Sequence, residues 1–171
     1  MCANASDVVA ASPRGCQPHI SGNIEVVDGV TNQLFDIYDD NYPAAIALNP
    51  LTNNIYVAES NSSITIINGA TNKATSITNP NAYSSLAVAV NPVTNKIYFA
   101  NGYTNNVTVL EGATERAVTI ADPNAVNPVA IAVDPVTNKI YVANQGSNNI
   151  TVVDGATNQI TTVADPPAAG K

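Results

Sequence analysis

Short runs of apolar residues alternate with polar turns along most of the chain. The clearest unit is PVAIAVDPVTNKIYVANQGSNNITVVDGATNQITTVADP, at 128–166. It divides into four runs rich in Val, Ile, Thr and Tyr, separated by segments rich in Asn, Asp, Gly and Pro, which favour turns. No apolar stripe with the helical period of about 3.6 residues is present. The pattern predicts an antiparallel unit of four short strands.

This unit is repeated along the chain. The phrase NPVTNKIYFA, at 91–100, recurs as NPLTNNIYVA at 49–58 and as DPVTNKIYVA at 134–143. A proline of the first turn recurs at intervals of 42 and 43 residues, at Pro50, Pro92 and Pro135. A glycine of the second turn recurs at intervals of 40, 43 and 43 residues, at Gly29, Gly69, Gly112 and Gly155. A period of about 40–45 residues is that of a four-stranded propeller blade.

The runs differ in ways that suit a stack of sheets. The second run, such as Ile97-Tyr98-Phe99, is apolar on both faces, whereas a sheet with one face in water alternates apolar and polar residues. Sheets are therefore expected to stack on both sides, as blades do. The fourth run is more polar, as an outer edge should be. In the GATN turns, the Gly and the Asn are the residues able to take left-handed backbone angles.

IYVAN followed by a turn and ITVVDGATN resembles the YVTN β-propeller repeat, the YncE-like family of bacterial and archaeal surface and periplasmic proteins with surface-layer-type repeats. The resemblance covers 43–166, and 21–38 as the second half of a blade. It implies an all-β fold, a β-propeller segment of about 3.5–4 four-stranded antiparallel blades. The family is described mostly as surface or binding propellers, and DNA binding has been ascribed to at least one YncE-like member.

The repeat predicts the organisation of the chain. We expect an irregular head or degraded inner half-blade at 1–20, the second half of blade 1 at 21–42, blade 2 at 43–83, blade 3 at 84–127, blade 4 at 128–166 and a tail at 167–171. In the head, DVVAASP at 7–13 resembles a first strand with its turn proline. Pro13 and Gly29 are 16 residues apart, against 20 for Pro135 and Gly155, so the second strand there is expected to be shortened or lost.

Three arrangements of so few blades remain open. The chain closes as a four-bladed ring, two copies complete one larger ring as a dimer, or an open arc or fragment stacks with its neighbours into a filament or another larger assembly. The last blade is complete within its own sequence, which favours association between chains. We expect a molecular mass in solution of at least twice 17.7 kDa.

Composition limits the class of partner. Hydrophobic residues make up 45% of the chain and charged residues 11%, with a net charge of −7. This sign disfavours nucleic acid and anionic membrane surfaces, and no run is long enough for a membrane span. The polar positions are mostly Asn, Thr and Ser, a composition typical of exported proteins. We expect an extracellular, cell-surface or periplasmic location, although the start lacks the pattern of a signal peptide.

The residues offer little catalytic chemistry. His19 is the single histidine, so no nucleophile–His–acid set is expected, and no cofactor. The acidic residues Asp36, Asp39 and Asp40 are weak candidates for a cation site, against the alternative of a solvated loop. The repeated tyrosines Tyr56, Tyr98 and Tyr141 are expected to pack in the core rather than to bind a ligand.

Candidate binding residues lie in the loops that differ between repeats. There we predict ligand contacts from Tyr103, Asn105 and Asn148. Cys2 and Cys16 either form a disulfide that staples the head or remain two thiols. Four sequons place candidate glycosylation sites at Asn4, Asn61, Asn106 and Asn149.

Together these features predict a non-enzymatic binding or self-assembly module, with self-association and a protein or glycan partner. One alternative is an enzyme or metal-binding propeller whose axial site forms only on assembly. A second is a DNA-binding propeller, which the net charge opposes.

Overall fold

The computed structural model describes residues 8–12, 23–38 and 41–164, and for 8–12 it describes the backbone alone. Every regular element in these ranges is a β-strand. The strands are β1 (Val8–Ser12), β2 (Asn23–Val27), β3 (Leu34–Tyr38), β4 (Pro43–Asn49), β5 (Asn54–Glu59), β6 (Ser63–Asn68), β7 (Lys73–Thr78), β8 (Ser85–Asn91), β9 (Lys96–Asn101), β10 (Asn106–Glu111), β11 (Arg116–Ala121), β12 (Pro128–Asp134), β13 (Lys139–Asn144), β14 (Asn149–Asp154) and β15 (Ile160–Ala164).

The strands form four antiparallel sheets, and within each sheet they are joined in chain order. Sheet 1 contains β1–β3, sheet 2 contains β4–β7, sheet 3 contains β8–β11 and sheet 4 contains β12–β15. The first strands of sheets 2, 3 and 4 lie beside one another, and the fourth strands lie farthest from them. The predicted all-β fold of four-stranded antiparallel units is confirmed.

Sheet 1 has three described strands. The head segment resembles a first strand in sequence, but Val8–Ser12 pairs directly with β2, with Val8 opposite Val27 and Ser12 opposite Asn23. In the other sheets the neighbour of the third strand is the second strand. The segment therefore occupies the place of the second strand.

The stack has two ends, and each sheet has two faces. The turn side is the end that carries the turns between first and second strands and between third and fourth strands. The loop side is the opposite end, with the loops between second and third strands and the connections between sheets. The forward face of a sheet is the one directed to the next sheet along the chain, and its backward face is directed to the preceding one.

Asparagine shapes both kinds of turn on the turn side. Asn53, Asn95 and Asn138 close the first turn with φ of 54–55°, in the left-handed region that Asn tolerates better than most residues. The second turn uses the same region at Asn72, Glu115 and Asn158. An Asn or Asp side chain begins each first turn by accepting from a backbone N–H two residues on, as in the 2.9 Å bond from Val136 N to Asp134 Oδ1.

The glycines of the second turns do not supply the left-handed backbone angle. Among the described residues no glycine has a positive φ, so of the two residue types able to take such angles in these turns, only the Asn does so. Gly112 instead donates its N–H to the carbonyl of Asn95, at 2.9 Å. A Cβ at this position would lie 2.9 Å from that carbonyl oxygen and 2.5 Å from Asn95 Oδ1. Glycine is needed because two turns touch backbone to backbone.

The core consists of layers between neighbouring sheets. The second strands are buried on both faces in the middle of the stack, and Ile97, Tyr98, Phe99 and Ala100 of β9 have no exposed surface. One cluster joins sheets 1 and 2, a second joins sheets 2 and 3, and a third joins sheets 3 and 4. The fourth strands are the most exposed, as expected for the outer edge.

Within the described ranges the stack is an open arc. The forward faces of sheets 2 and 3 are covered by the next sheet, whereas that of sheet 4 is not. Tyr141, Ile150 and Val163 on this face are 42%, 43% and 50% exposed. The described residues therefore do not close a four-bladed ring.

Candidate functional site

Several of the residues singled out in the sequence lie outside the described ranges. These are Cys2, Asn4, Cys16, His19, Asp39 and Asp40. The disulfide, the first sequon and two of the three candidate cation ligands therefore stay predictions. Asp36 lies on β3 with an exposed side chain. No group of three or more His, Cys, Asp or Glu side chains within the described ranges is placed to hold a metal ion.

The three repeated tyrosines lie on equivalent forward-face positions of β5, β9 and β13. Tyr56 and Tyr98 are buried between sheets, while Tyr141 is 42% exposed because no described sheet follows it. The Tyr98 hydroxyl is buried without a hydrogen-bond partner among the described residues. Burial, followed by the nearby carboxylates of Glu111 and Asp154, raises the pKa of Tyr98 to about 12.

This raised pKa predicts a loss of stability at high pH. The phenol ionises more easily in the unfolded chain than in the folded one. The stability that the neutral phenol contributes is therefore fully present below pH 10 and is lost as the pH rises towards 12. For Tyr98→Phe we expect a smaller loss between pH 10 and 12 in urea unfolding experiments. At pH 7 we expect stability unchanged or about 1 kcal/mol higher, because a buried unpaired hydroxyl is removed. Tyr141→Phe is the control; an equal effect there would contradict the prediction.

A polar joint on the loop side links sheets 2 and 3. Asn79, in the connection between them, donates Nδ2 to Thr108 Oγ1 at 3.0 Å and to Thr119 Oγ1 at 3.3 Å. Asn101 donates to Asn106 Oδ1 at 2.8 Å and to Thr108 Oγ1 at 2.9 Å. Because these groups are mostly buried, their mutual hydrogen bonds offset the cost of removing them from water.

Sheets 3 and 4 are linked by the same joint with one acid in it. Asp122 replaces Asn79 and accepts from Thr151 Oγ1 at 2.6 Å and from Thr162 Oγ1 at 3.0 Å. The joint is less complete, since Ser85 donates to Asn101 Oδ1 in sheet 3 whereas Pro128 occupies the equivalent position in sheet 4. Asn144 Oδ1 is accordingly buried without a partner among the described residues. These contacts tie the connections between the sheets to the third and fourth strands.

Two ion pairs lie on the turn side. Lys96 Nζ lies 3.5 Å from Glu111 Oε1 and donates to the carbonyl of Gly155 in the next sheet, at 2.8 Å. Lys139 Nζ donates to Asp154 Oδ2 at 2.6 Å. The pKa of Asp154 is lowered below its ordinary value, mainly because Lys139 donates to its carboxylate. The backbone N–H groups of the second turn lower this pKa further. This acid is therefore charged at neutral pH.

The three predicted ligand residues have different surroundings. Tyr103 is 78% exposed and packs against Tyr83, which sequence reasoning missed. Asn105 Oδ1 accepts from the N–H of Asn127 at 2.7 Å, so this residue also joins sheet 3 to the entry of sheet 4. Asn148 is exposed at the loop-side rim of sheet 4. Tyr83 could have been found as an aromatic residue at a connection position that holds Asn or Val in the other repeats.

The described sequon asparagines are all hydrogen-bonded through their amide groups. Asn106 Nδ2 donates to the carbonyl of Asn81 at 2.8 Å, and Asn149 Nδ2 donates to the carbonyl of Asn124 at 2.7 Å. Asn61 Nδ2 donates to Asn41 Oδ1 at 2.8 Å. A glycan would be attached to these same nitrogens, and glycosylation stays a prediction.

The forward face of sheet 4 is an exposed surface that no described sheet covers. Its loop-side half forms a concavity of about 520 Å³. Its central positions repeat residue types that sheets 2 and 3 bury: Tyr141 follows Tyr56 and Tyr98, and Ile150 follows Ile64 and Val107. The face is formed by Ala130, Ala132, Tyr141, Ala143, Ile150, Val152, Thr161 and Val163, none of them charged.

Comparison with known proteins supports the fold. No family model and no curated protein matches the sequence. Among solved structures, a chain of a nidogen/laminin complex is similar, with a TM-score of 0.70, 14% identity, and coverage of 85% of this chain and 57% of that one. Hydrazine synthase of Kuenenia stuttgartiensis is similar, with a TM-score of 0.64, 22% identity, and coverage of 72% and 37%.

These neighbours indicate a β-propeller-type fold, and the chain spans about half or less of their length. Together with the four stacked sheets they define the class of the protein as a partial β-propeller. None of the described segments is a helix long and apolar enough to cross a membrane.

Proposed function

We propose that the chain is a non-enzymatic binding module of the YVTN-repeat β-propeller type that self-associates through the forward face of sheet 4. One observation carries the proposal: this exposed face repeats the apolar residues that sheets 2 and 3 bury against their neighbours. The presence of a nidogen/laminin complex, an assembly of two proteins, among the structural neighbours supports a protein-binding role. The repeat and the Asn-, Thr- and Ser-rich surface support a location outside the cytoplasm.

The free energy gained by covering the apolar side chains of this face can be compared with the cost of association. Full burial of a large aliphatic or aromatic side chain contributes about 1.5–3 kcal/mol. Tyr141, Ile150 and Val163 are each about half exposed, so covering them contributes about 1 kcal/mol apiece. Association itself costs about 4 kcal/mol or more. A stable complex therefore has to cover the whole face and its polar rim, so concentration-dependent association is expected.

Sedimentation equilibrium over a range of concentrations tests the proposal. For the full chain we expect a mass that rises to at least twice 17.7 kDa. Ile150→Glu should shift the mass to the monomer, because a carboxylate would have to lose its water in the interface. The matched control is Val136→Glu, at a turn-side position that is 91% exposed, and it should associate as the parent does. A parent protein that stays monomeric throughout would refute self-association.

A further inference from the structure

Two tyrosines on the loop side interrupt an otherwise regular repeat. Tyr83 lies in the connection before sheet 3, where the corresponding residues are Asn41 and Val126. Tyr103 lies in the loop between β9 and β10, where the corresponding loop of sheet 4 has Gly146. The fold is completed without an aromatic residue at either position in the other sheets. Packing of the propeller therefore does not explain these tyrosines.

The two rings form an exposed corner. Their centroids are 5.4 Å apart and their planes meet at 68°, an edge-to-face arrangement. Tyr83 is 48% exposed and Tyr103 is 78% exposed. The N–H of Tyr83 donates to Thr104 Oγ1 at 3.2 Å, which ties the connection to the loop. One ring thus supports the other while a broad aromatic surface stays in contact with solvent.

Amide groups continue from this corner. Asn105 follows Tyr103 by two residues and is held through its Oδ1 by the N–H of Asn127 at 2.7 Å. Its Nδ2 has no hydrogen-bond partner within the described ranges and remains a donor for a ligand. We refer to Tyr83, Tyr103, Asn105 and Asn127 as the tyrosine–amide surface. Tyr42, on the same loop side, is 61% exposed and holds a φ of 57°, which is uncommon for an aromatic residue.

Charge is divided between the two ends of the stack. In sheets 2, 3 and 4 and their connections, the loop side has two acids, Glu59 and Asp122, and both are buried. The other charged side chains of this part of the chain lie at the turn side: Lys73, Lys96, Glu111, Glu115, Arg116, Asp134, Lys139 and Asp154. Within residues 41–164 the loop-side surface therefore presents aromatic rings, amides and hydroxyls without an exposed charge.

We infer that the tyrosine–amide surface binds a neutral carbohydrate. The apolar C–H face of a sugar ring packs on the flat face of a tyrosine, while its hydroxyls both donate to and accept from side-chain amides. An uncharged surface adds no attraction for acidic or basic ligands. Because the rings are already held together, few side-chain rotamers are lost on binding. This inference is independent of self-association through sheet 4.

The inference is tested on an array of neutral oligosaccharides that contain glucose, galactose, mannose and N-acetylglucosamine. Isothermal titration then measures the affinity for the best-retained sugar. We expect the affinity to fall at least tenfold in Tyr103→Ala and in Tyr83→Ala, and to be largely retained in Tyr103→Phe. Val93→Ala and Val136→Ala, at exposed turn-side positions away from this surface, should leave the affinity unchanged. Circular dichroism of each variant shows whether the fold is intact.

Three results would overturn the inference. The first is that no neutral sugar is retained by the folded protein. The second is that the Tyr83→Ala, Tyr103→Ala double variant binds as the parent does. The third is that a neutral proline-rich peptide binds to the protein while every sugar tested fails to bind. Failure of Ile150→Glu to alter the mass would refute self-association through the forward face of sheet 4 and leave this inference standing.

Discussion

Replacement of Val107 by glutamate is expected to lower the free energy of unfolding by about 3–5 kcal/mol. Val107 is 5% exposed and belongs to the cluster that joins sheets 3 and 4, with Ile140, Val142 and Val153. A carboxylate there would lose its water without gaining a cation, and the buried acid Asp122 lies at the same cavity. Urea unfolding followed by circular dichroism measures the change.

Ile150→Glu is the matched control for this substitution. Ile150 occupies the position of Val107 one sheet later, but its face is uncovered and the side chain is 43% exposed. At concentrations where the parent is a monomer we expect a change within about 0.5 kcal/mol. Equal destabilisation by both substitutions would mean that the forward face of sheet 4 is covered in the folded monomer. That result would contradict the open arc.

Replacement of Gly112 by alanine is expected to lower the free energy of unfolding by about 2–3 kcal/mol. The added Cβ would lie 2.5 Å from Asn95 Oδ1 and 2.9 Å from the Asn95 carbonyl oxygen. The amide side chain can rotate away, but the carbonyl belongs to the backbone of a tight turn. The two turns must separate, and the 2.9 Å bond from Gly112 N to Asn95 O is then weakened.

Thermal unfolding of Gly112→Ala and of Ala113→Ser gives the comparison. Ala113 is the next residue in the same turn and is exposed, so its substitution should change stability by less than about 0.5 kcal/mol. A Gly112→Ala variant that is as stable as the parent would show that the close approach of the two turns is not required. The alternative explanation by left-handed backbone angles is already excluded for this glycine.

Much of the fold could be predicted because the same pattern of strands and turns recurs in successive repeats of the sequence. Strand positions follow from the alternation of β-rich runs and turns, and burial of β9 on both faces follows from Ile97-Tyr98-Phe99. Three near-copies in register also constrain one another, since a turn residue found at the same place each time has a structural reason. Asp134 and its equivalents begin their turns as this reasoning predicts.

The role of the glycines could not be deduced from the sequence. A glycine in a turn can supply a positive φ or make room for another backbone, and the residue type is the same for both. The difference depends on where Asn95 lies relative to Gly112, seventeen positions later in the chain, and that distance is set by the pairing of β9 with β10.

The candidate sites could be predicted only in part, because they also depend on which distant residues the fold brings together. Tyr103 is a visible exception to the repeat, but its partner Tyr83 is twenty residues away and comes close only when connection and loop meet on the loop side. Asn105 stays a candidate for ligand contact, and the structure adds that its Oδ1 holds the entry to sheet 4. Tyr141 follows the same Asn-Lys-Ile as Tyr98, and it is exposed because no described sheet covers it.

The way in which the sheets contact one another affects how the molecule unfolds. Contacts join each sheet to its neighbours in chain order, so within the described ranges the middle sheets are held from two sides and sheet 4 from one. In such linear arrays the free energy of unfolding is close to a sum of unit terms and nearest-neighbour terms. Melting therefore begins at an outer sheet and moves inward, and a partner bound to the forward face of sheet 4 would also slow the first step of unfolding.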